Sequence, residues 1–171
     1  MHEKFDQIVM GVDPGLNSTG WGIVASQGSK LVYLASGIIK ISLKLSLAAK
    51  LLVIYKEISN QIEQHQPKGF AIEETYVNNN PSTSLKLGQA RGVAILAAAN
   101  INLEVFEYAP RFVKKAIVGK GNADKIQVAA MINHLLHHKI ADHNESDAIA
   151  IAICHINCHK FYSKLKDGKD Y

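Results

Sequence analysis

Residues 7–26 read QIVMGVDPGLNSTGWGIVAS, and the fold follows from how this stretch is parsed. QIVMGVD is an apolar run that ends on an acid and stops at a Pro-Gly pair, the pattern of a buried strand followed by a turn. A second apolar segment begins near residue 20. The connection is too short for a crossover, so the two strands pair antiparallel. Gly15, Gly20 and Gly22 allow tight turns and a close approach of backbone to a phosphate or metal-bound ligand. An ordinary hairpin turn accounts for the same glycines. Asp13 ends the first strand, where a carboxylate is costly unless it meets water, a partner or a cation.

Working outward, LVYLASGIIKI at 31–41 alternates as a third meander strand. Leu45, Ala48, Leu52, Tyr55, Ile58 and Ile62 recur at helical spacing within 44–65, and Pro67 and Gly69 end that helix. GFAIEET supplies a fourth strand, a helix rich in small side chains spans 83–99, and a fifth strand lies near 103–107. Helices are expected at about 110–117, 124–138 and 145–161. The predicted class is α/β: a five-stranded mixed sheet, three antiparallel meander strands then βαβα, with helices on both faces. Right-handed crossovers place the fourth strand beside the first. Asp13 and Glu73 then lie at neighbouring strand ends, the usual position of an α/β active site. The 171 residues make one domain, 1–171, with a polar tail at about 162–171 expected to fray.

Glu73 and Glu74 are adjacent and on a strand point to opposite faces, so only one can join Asp13. The residues alone do not say which; the choice of Glu73 for the site, with Glu74 left to the surface, comes from the resemblance given below. Asp147, in HNESDAIAIA, begins an apolar helix, where the N-terminus favours an anion. Asn144, three residues earlier, reads either as an N-cap or, with His143 and Asp147, as part of one polar helical face. Three carboxylates brought together would make an oxygen-rich site for a hard divalent ion. His134 and His138, and His155 and His159 beside Cys154 and Cys158, have spacings that bind zinc elsewhere. Successive residues on a helix diverge by about 100°, so the last four cannot close one tetrahedron. The cysteines are read as small core residues in a reducing compartment.

Net charge is +4 and the chain is mildly basic, with its cations bunched. Lys86, Arg91, Arg111, Lys114, Lys115, Lys120 and Lys125 stand against only Glu104, Glu107 and Asp124 between positions 86 and 125. Such a stretch suits a polyphosphate partner, although a solvated basic face looks the same in sequence. MHEKFDQ lacks the apolar core of a signal peptide. No apolar run reaches the roughly 20 residues that span a bilayer. A cytoplasmic protein is expected.

The segments GVDPGLNSTGWG, FAIEETYV, SLKLGQARGVAILAA, VFEYAPRFVKKAIVGKGNADKIQV and SDAIAIAICH, in this order, resemble the RuvC family of bacterial Holliday junction resolvases. That family belongs to the ribonuclease H-like superfamily, and the likeness covers about 7–158. It implies a homodimer that resolves four-way DNA junctions by paired symmetric nicks, in recombination and repair. It also implies Mg²⁺ or Mn²⁺, with two ions per site, and partnership with a RuvA/RuvB branch-migration complex. By this resemblance Asp13, Glu73 and Asp147 are metal ligands and catalytic acids. Lys114 and Lys125 lie near the cleaved phosphate, and Tyr76 stacks on bases at the junction centre. The family's acid or histidine three residues before the last aspartate is here Asn144, with His143 the nearest substitute ligand. This departure leaves open a junction-binding protein of impaired catalysis. The strand–Asp-x-Gly–turn–strand opening is also shared by actin-like and sugar-kinase ATPases, which need two such domains.

Overall fold

The computed structural model describes residues 5–75 and 81–167, with side chains through residue 159. Ten elements follow in chain order: β1 Gln7–Asp13, β2 Ser18–Gln27, β3 Lys30–Lys40, α1 Leu47–His65 and β4 Gly69–Glu73, then α2 Pro81–Ala99, β5 Val105–Tyr108, α3 Pro110–Val118, α4 Lys125–Leu136 and α5 His143–Asp167. The five strands form one mixed sheet in the order β3-β2-β1-β4-β5. β1, β2 and β3 pair antiparallel, and β4 lies parallel between β1 and β5. This is the predicted topology, with element ends displaced by a few residues. The largest displacement is in α5, which continues as helix to Asp167 through part of the segment expected to fray.

Strand parity decides which side chains meet. Along β1, Met10 and Val12 belong to the core beneath α1 and α2, whereas Val9 belongs to the core beneath α3, α4 and α5. Side chains alternate across a sheet, so Asp13 shares the face of Val9 and Gly11. On β4, Phe70 and Ile72 face α1 and α2 while Ala71 faces α5. Glu73 therefore projects to the α5 side, in register with Asp13 at the adjacent strand end.

The centre of that second core is α5. Ala148, Ile149, Ala150, Ile151, Ala152, Ile153, Cys154 and Ile156 are all fully buried, as expected of a helix that is apolar all round. It lies almost directly on the sheet backbone. A Cβ at Gly11 would overlap the carbonyl of Ala148, one at Gly20 the carbonyl of Asn144, and one at Gly22 the side chain of Ile149. This corrects the expectation that Gly20 and Gly22 open the backbone to a phosphate: their missing side chains admit a helix. Gly15 does form the expected tight turn, its N–H and carbonyl both bonded to the Thr19 hydroxyl at 3.1 and 2.8 Å.

The start of α5 also differs from expectation. The Asp142 carboxylate accepts from the Asn144 backbone N–H at 2.7 Å, and the Asp142 carbonyl from Ser146 N–H at 3.0 Å. Asp142 therefore does the work assigned to Asn144 as N-cap, and the helix begins one turn before Asp147. The N-terminus of α4 is set by a capping box, Asp124 bonding Gln127 in both directions. That makes Lys125 the first residue of its helix.

Candidate active site

Asp13 from β1, Glu73 from β4 and Asp147 from α5 line one cavity of about 250 Å³, together with Lys114 of α3 and Lys125 of α4. Pro110, Val113, Val128 and Ala150 form its apolar walls. Five elements thus deliver the chemistry to one point at the carboxyl end of the central strands.

The electrostatics show how crowded the point is. Burial, then the charge of Asp147, pushes the Asp13 carboxyl up to about 6, against the pull of Lys125. Glu73 is pushed up to about 7, first by burial and then by Asp13 and Asp147, with Lys125 and Lys114 opposing. Burial is the larger cause at both residues, and the neighbouring negative charges add to it. One cation already answers: Lys125 Nζ donates to Asp147 Oδ2 at 2.7 Å, and this bond holds the ammonium more tightly protonated than usual.

Among the described residues, no three His, Cys, Asp or Glu side chains close into a ready-made metal cage. The donor set is instead an open, oxygen-only cluster with an excess of negative charge. This fits an ion such as Mg²⁺, which keeps several waters and takes one or two protein carboxylates plus substrate phosphate oxygens. A closed Cys or His cage would suit zinc.

The other expected site residues fall in different places. Asn144 Nδ2 donates to the Ser18 hydroxyl at 3.2 Å, tying α5 to β2 beside Asp13. His143 is exposed at the first turn of α5, and neither residue lines the cavity. Arg111, Lys115 and Lys120 are exposed on and just after α3. Lys86 lies apart, in a groove of about 480 Å³ with Leu16, Leu45 and Lys50. Arg91 is not an open surface cation: its guanidinium pairs with Glu107 and its Nε donates to the Glu73 carbonyl at 3.0 Å. Tyr76 lies outside the described residues.

The histidine pairs serve packing. His155 is 5% exposed, bonded to the Tyr108 hydroxyl at 2.8 Å, and pushed down to about 4 by burial and His159. It is a neutral core residue. His138 stacks on Tyr33 with ring centres 4.0 Å apart. Cys154 and Cys158 are free thiols, the first of them buried.

Two groups matter to the site in ways the sequence did not suggest: Ser18 was not singled out, and Arg91 was read as a cation for a polyphosphate partner. Ser18 carried no local signal, since its role depends on a residue 126 positions away. Arg91 did carry one: it is in helical phase with Leu87, Ala94 and Ala98, and the last two of these are buried. A charged residue in phase with a buried stripe needs a partner.

A mixed sheet in the order β3-β2-β1-β4-β5 with helices on both faces is the fold of a ribonuclease H-like nuclease. Residues 9–155 match the family model described as crossover junction endodeoxyribonuclease RuvC, and the chain belongs to that family. It is 46% identical over 159 residues to the RuvC of Pseudoalteromonas translucida, covering 92% of this chain and 91% of the relative. The RuvC of Teredinibacter turnerae is 44% identical over 169 residues, covering 96% of each. Among solved structures, Thermus thermophilus RuvC in complex with a Holliday junction superposes with a TM-score of 0.86 at 29% identity, covering 91% of this chain and 96% of that one. The yeast mitochondrial resolvase Ydc2 shares the fold, with a TM-score of 0.64 at 12% identity over 87% of this chain and 77% of that one.

Proposed function

We propose that this chain resolves Holliday junctions as a homodimer, nicking two strands symmetrically by metal-assisted hydrolysis in recombination and repair. The observation that carries the reading is the convergence of Asp13, Glu73 and Asp147 with Lys114 and Lys125 on one cavity. One or two Mg²⁺ (or Mn²⁺) ions, when bound, would supply a polarised phosphate and an activated water. Asp13, Glu73 and Asp147 would hold them. Lys114 and Lys125 would offset charge that builds on the phosphate in the transition state. Lys125 has a second role, since its ammonium neutralises Asp147 until a divalent cation competes for the carboxylate or a phosphate competes for the ammonium. Asn144 would contribute by fixing the angle of α5 through Ser18, and His143, exposed in the first turn of α5, would be a further candidate donor from the helix start.

Exposed Arg111, Lys115 and Lys120 supply a basic approach for the DNA arms, with Lys86 a further candidate phosphate contact and Tyr76 a candidate base-stacking residue. The place of action proposed is the cytoplasm, and partnership with RuvA/RuvB rests on the family alone. Among the described residues no helix is long and apolar enough to cross a membrane.

A two-fold junction calls for two sites related by two-fold symmetry. The outward face of α2 suits that contact. Leu85 and Leu96 are 67% and 56% exposed, and between them Gly88 and Gly92 have open space where a side chain would stand. Ala90 and Ala94, on the opposite side of the helix, are buried in the core shared with α1 and the sheet. Replacing Leu85 and Leu96 by Glu is expected to convert the dimer to monomers by light scattering at micromolar concentration. Paired nicks should then uncouple. A variant that stays dimeric would exclude this face.

The raised carboxyls make a pH prediction with a definite sign. Asp13 and Glu73 bind protons more tightly in the folded chain than in the unfolded one, so their stabilising share is complete below about pH 4. It is lost as pH rises through about 6 and then about 7. The metal-free melting temperature should therefore fall between about pH 5 and pH 8, and Mg²⁺ should restore it at the upper end. An Asp13→Asn, Glu73→Gln double variant should show a flatter profile and no Mg²⁺ response; profiles parallel to wild type would contradict the electrostatic account.

A further inference from the structure

We infer that Arg91 is a positioning residue for Glu73, transmitting the placement of α2 to the carboxylate at the end of β4. The inference rests on the nuclease reading above and deepens it. The peptide joining Glu73 to Glu74 is held from both sides: its carbonyl accepts from Arg91 Nε at 3.0 Å, and its N–H donates to the Tyr108 carbonyl at 2.9 Å. That peptide plane sets ψ of Glu73 and, through it, the direction in which the side chain leaves the strand. It is also the last ladder step of the β4–β5 pair, whose register ends at Glu73 opposite Tyr108, so among the described residues no further pairing of these strands reinforces it.

Arg91 is itself fixed. Its Nη2 pairs with Glu107 on β5, and its side chain is only 18% exposed. The guanidinium is a planar fork that can serve two acceptors at once, whereas an ammonium is a single point charge on a flexible stem. One residue of α2 therefore clamps the ends of β4 and β5 together. The same turn of α2 carries Gly88 and Gly92, whose outward sides are open. A shift of α2 on dimerisation or junction binding would reach the Glu73 peptide through one side chain. This also accounts for a cation at position 91 whose guanidinium is already engaged by Glu107 and the Glu73 carbonyl.

The test uses the full-length dimer with Arg91→Met, Arg91→Lys and Glu107→Gln. For Arg91→Met the expected result is a fall in kcat of roughly a hundredfold, the scale of a 1 Å misplacement at a reacting centre. The Mg²⁺ concentration for half-maximal cleavage should rise, and so should the Mg²⁺ needed to raise the melting temperature in the absence of DNA. Junction affinity in Ca²⁺ and its salt dependence should be unchanged. Arg91→Lys should recover part of kcat, because it can satisfy one acceptor at a time. Glu107→Gln, which leaves the guanidinium in place but less fixed, should raise the Mg²⁺ requirement by a smaller factor. Unchanged kcat and Mg²⁺ requirement in Arg91→Met would overturn the inference, as would weaker junction binding with a shallower salt slope, the mark of a phosphate contact. If Arg91→Met does not fold, Glu107→Gln decides: a wild-type Mg²⁺ requirement there also overturns it. Failure of the wild-type protein to cleave a junction would instead strike at the nuclease reading itself.

Discussion

Glu73→Gln should bind a four-way junction with unchanged affinity and fail to cut it, with cleavage reduced by roughly 10³-fold or more. The substitution keeps the size and hydrogen-bonding reach of the side chain and removes only its capacity to carry charge. Glu73 ends β4 on the α5 face, lines the cavity with Asp13 and Asp147, and is pushed up to about 7 by burial and by those neighbours. An amide there relieves the repulsion, so the metal-free variant should be no less stable than wild type at neutral pH. It also removes a ligand that a divalent ion would need. Gel-shift in Ca²⁺ and nicking in Mg²⁺ separate the two effects. Wild-type nicking by this variant would remove Glu73 from the site, and a parallel loss of binding would make it a structural residue.

Gly11→Val should destabilise the protein by about 3 kcal/mol or more, at the upper end of what overpacking usually costs. Gly11 lies in β1 under α5, and even a single Cβ there would overlap the carbonyl of Ala148 and crowd the N–H of Ala152. Neither neighbour can yield by rotating a side chain, because both are helix backbone. The helix must lift from the sheet, and Asp147, one residue from that contact, moves with it. The expected result is a large drop in urea midpoint, together with a metal requirement raised in whatever fraction still folds. A wild-type midpoint would show that α5 does not rest on the sheet as described.

Much of this was legible in the chain because it depends on local periodicity. QIVMGVD and GFAIE read as buried strands that end on acids, and the meander followed by βα units leaves few topologies once crossovers are right-handed. Parity along β4 lets only one of Glu73 and Glu74 face Asp13. The family resemblance picks out Glu73, and the β1–β4 register in the structure puts it on the α5 face with Asp13. The helix carrying Asp147 was legible from its apolar run, but its first turn was not. Asp142 and Asn144 are both good caps, and only the packing of Asn144 over Gly20 decides between them.

What stayed hidden was long-range. Gly20 and Gly22 have the look of a phosphate-binding turn, and the sequence does not reveal that a helix more than 120 residues later lies on them. Arg91 and Lys125 belong to the same basic stretch, yet one is locked between Glu107 and the Glu73 carbonyl while the other meets Asp147 at the cavity. Charge counting cannot separate a cation that fastens two strand ends from one that faces a phosphate.

The most direct test of the central claim is Mg²⁺-dependent cleavage of a synthetic four-way junction, with a linear duplex of the same sequence as control. The site described here predicts paired nicks in opposed strands of the junction, dependent on added Mg²⁺ or Mn²⁺, and little cutting of the duplex. Binding to the junction without cleavage at any divalent-ion concentration would contradict it.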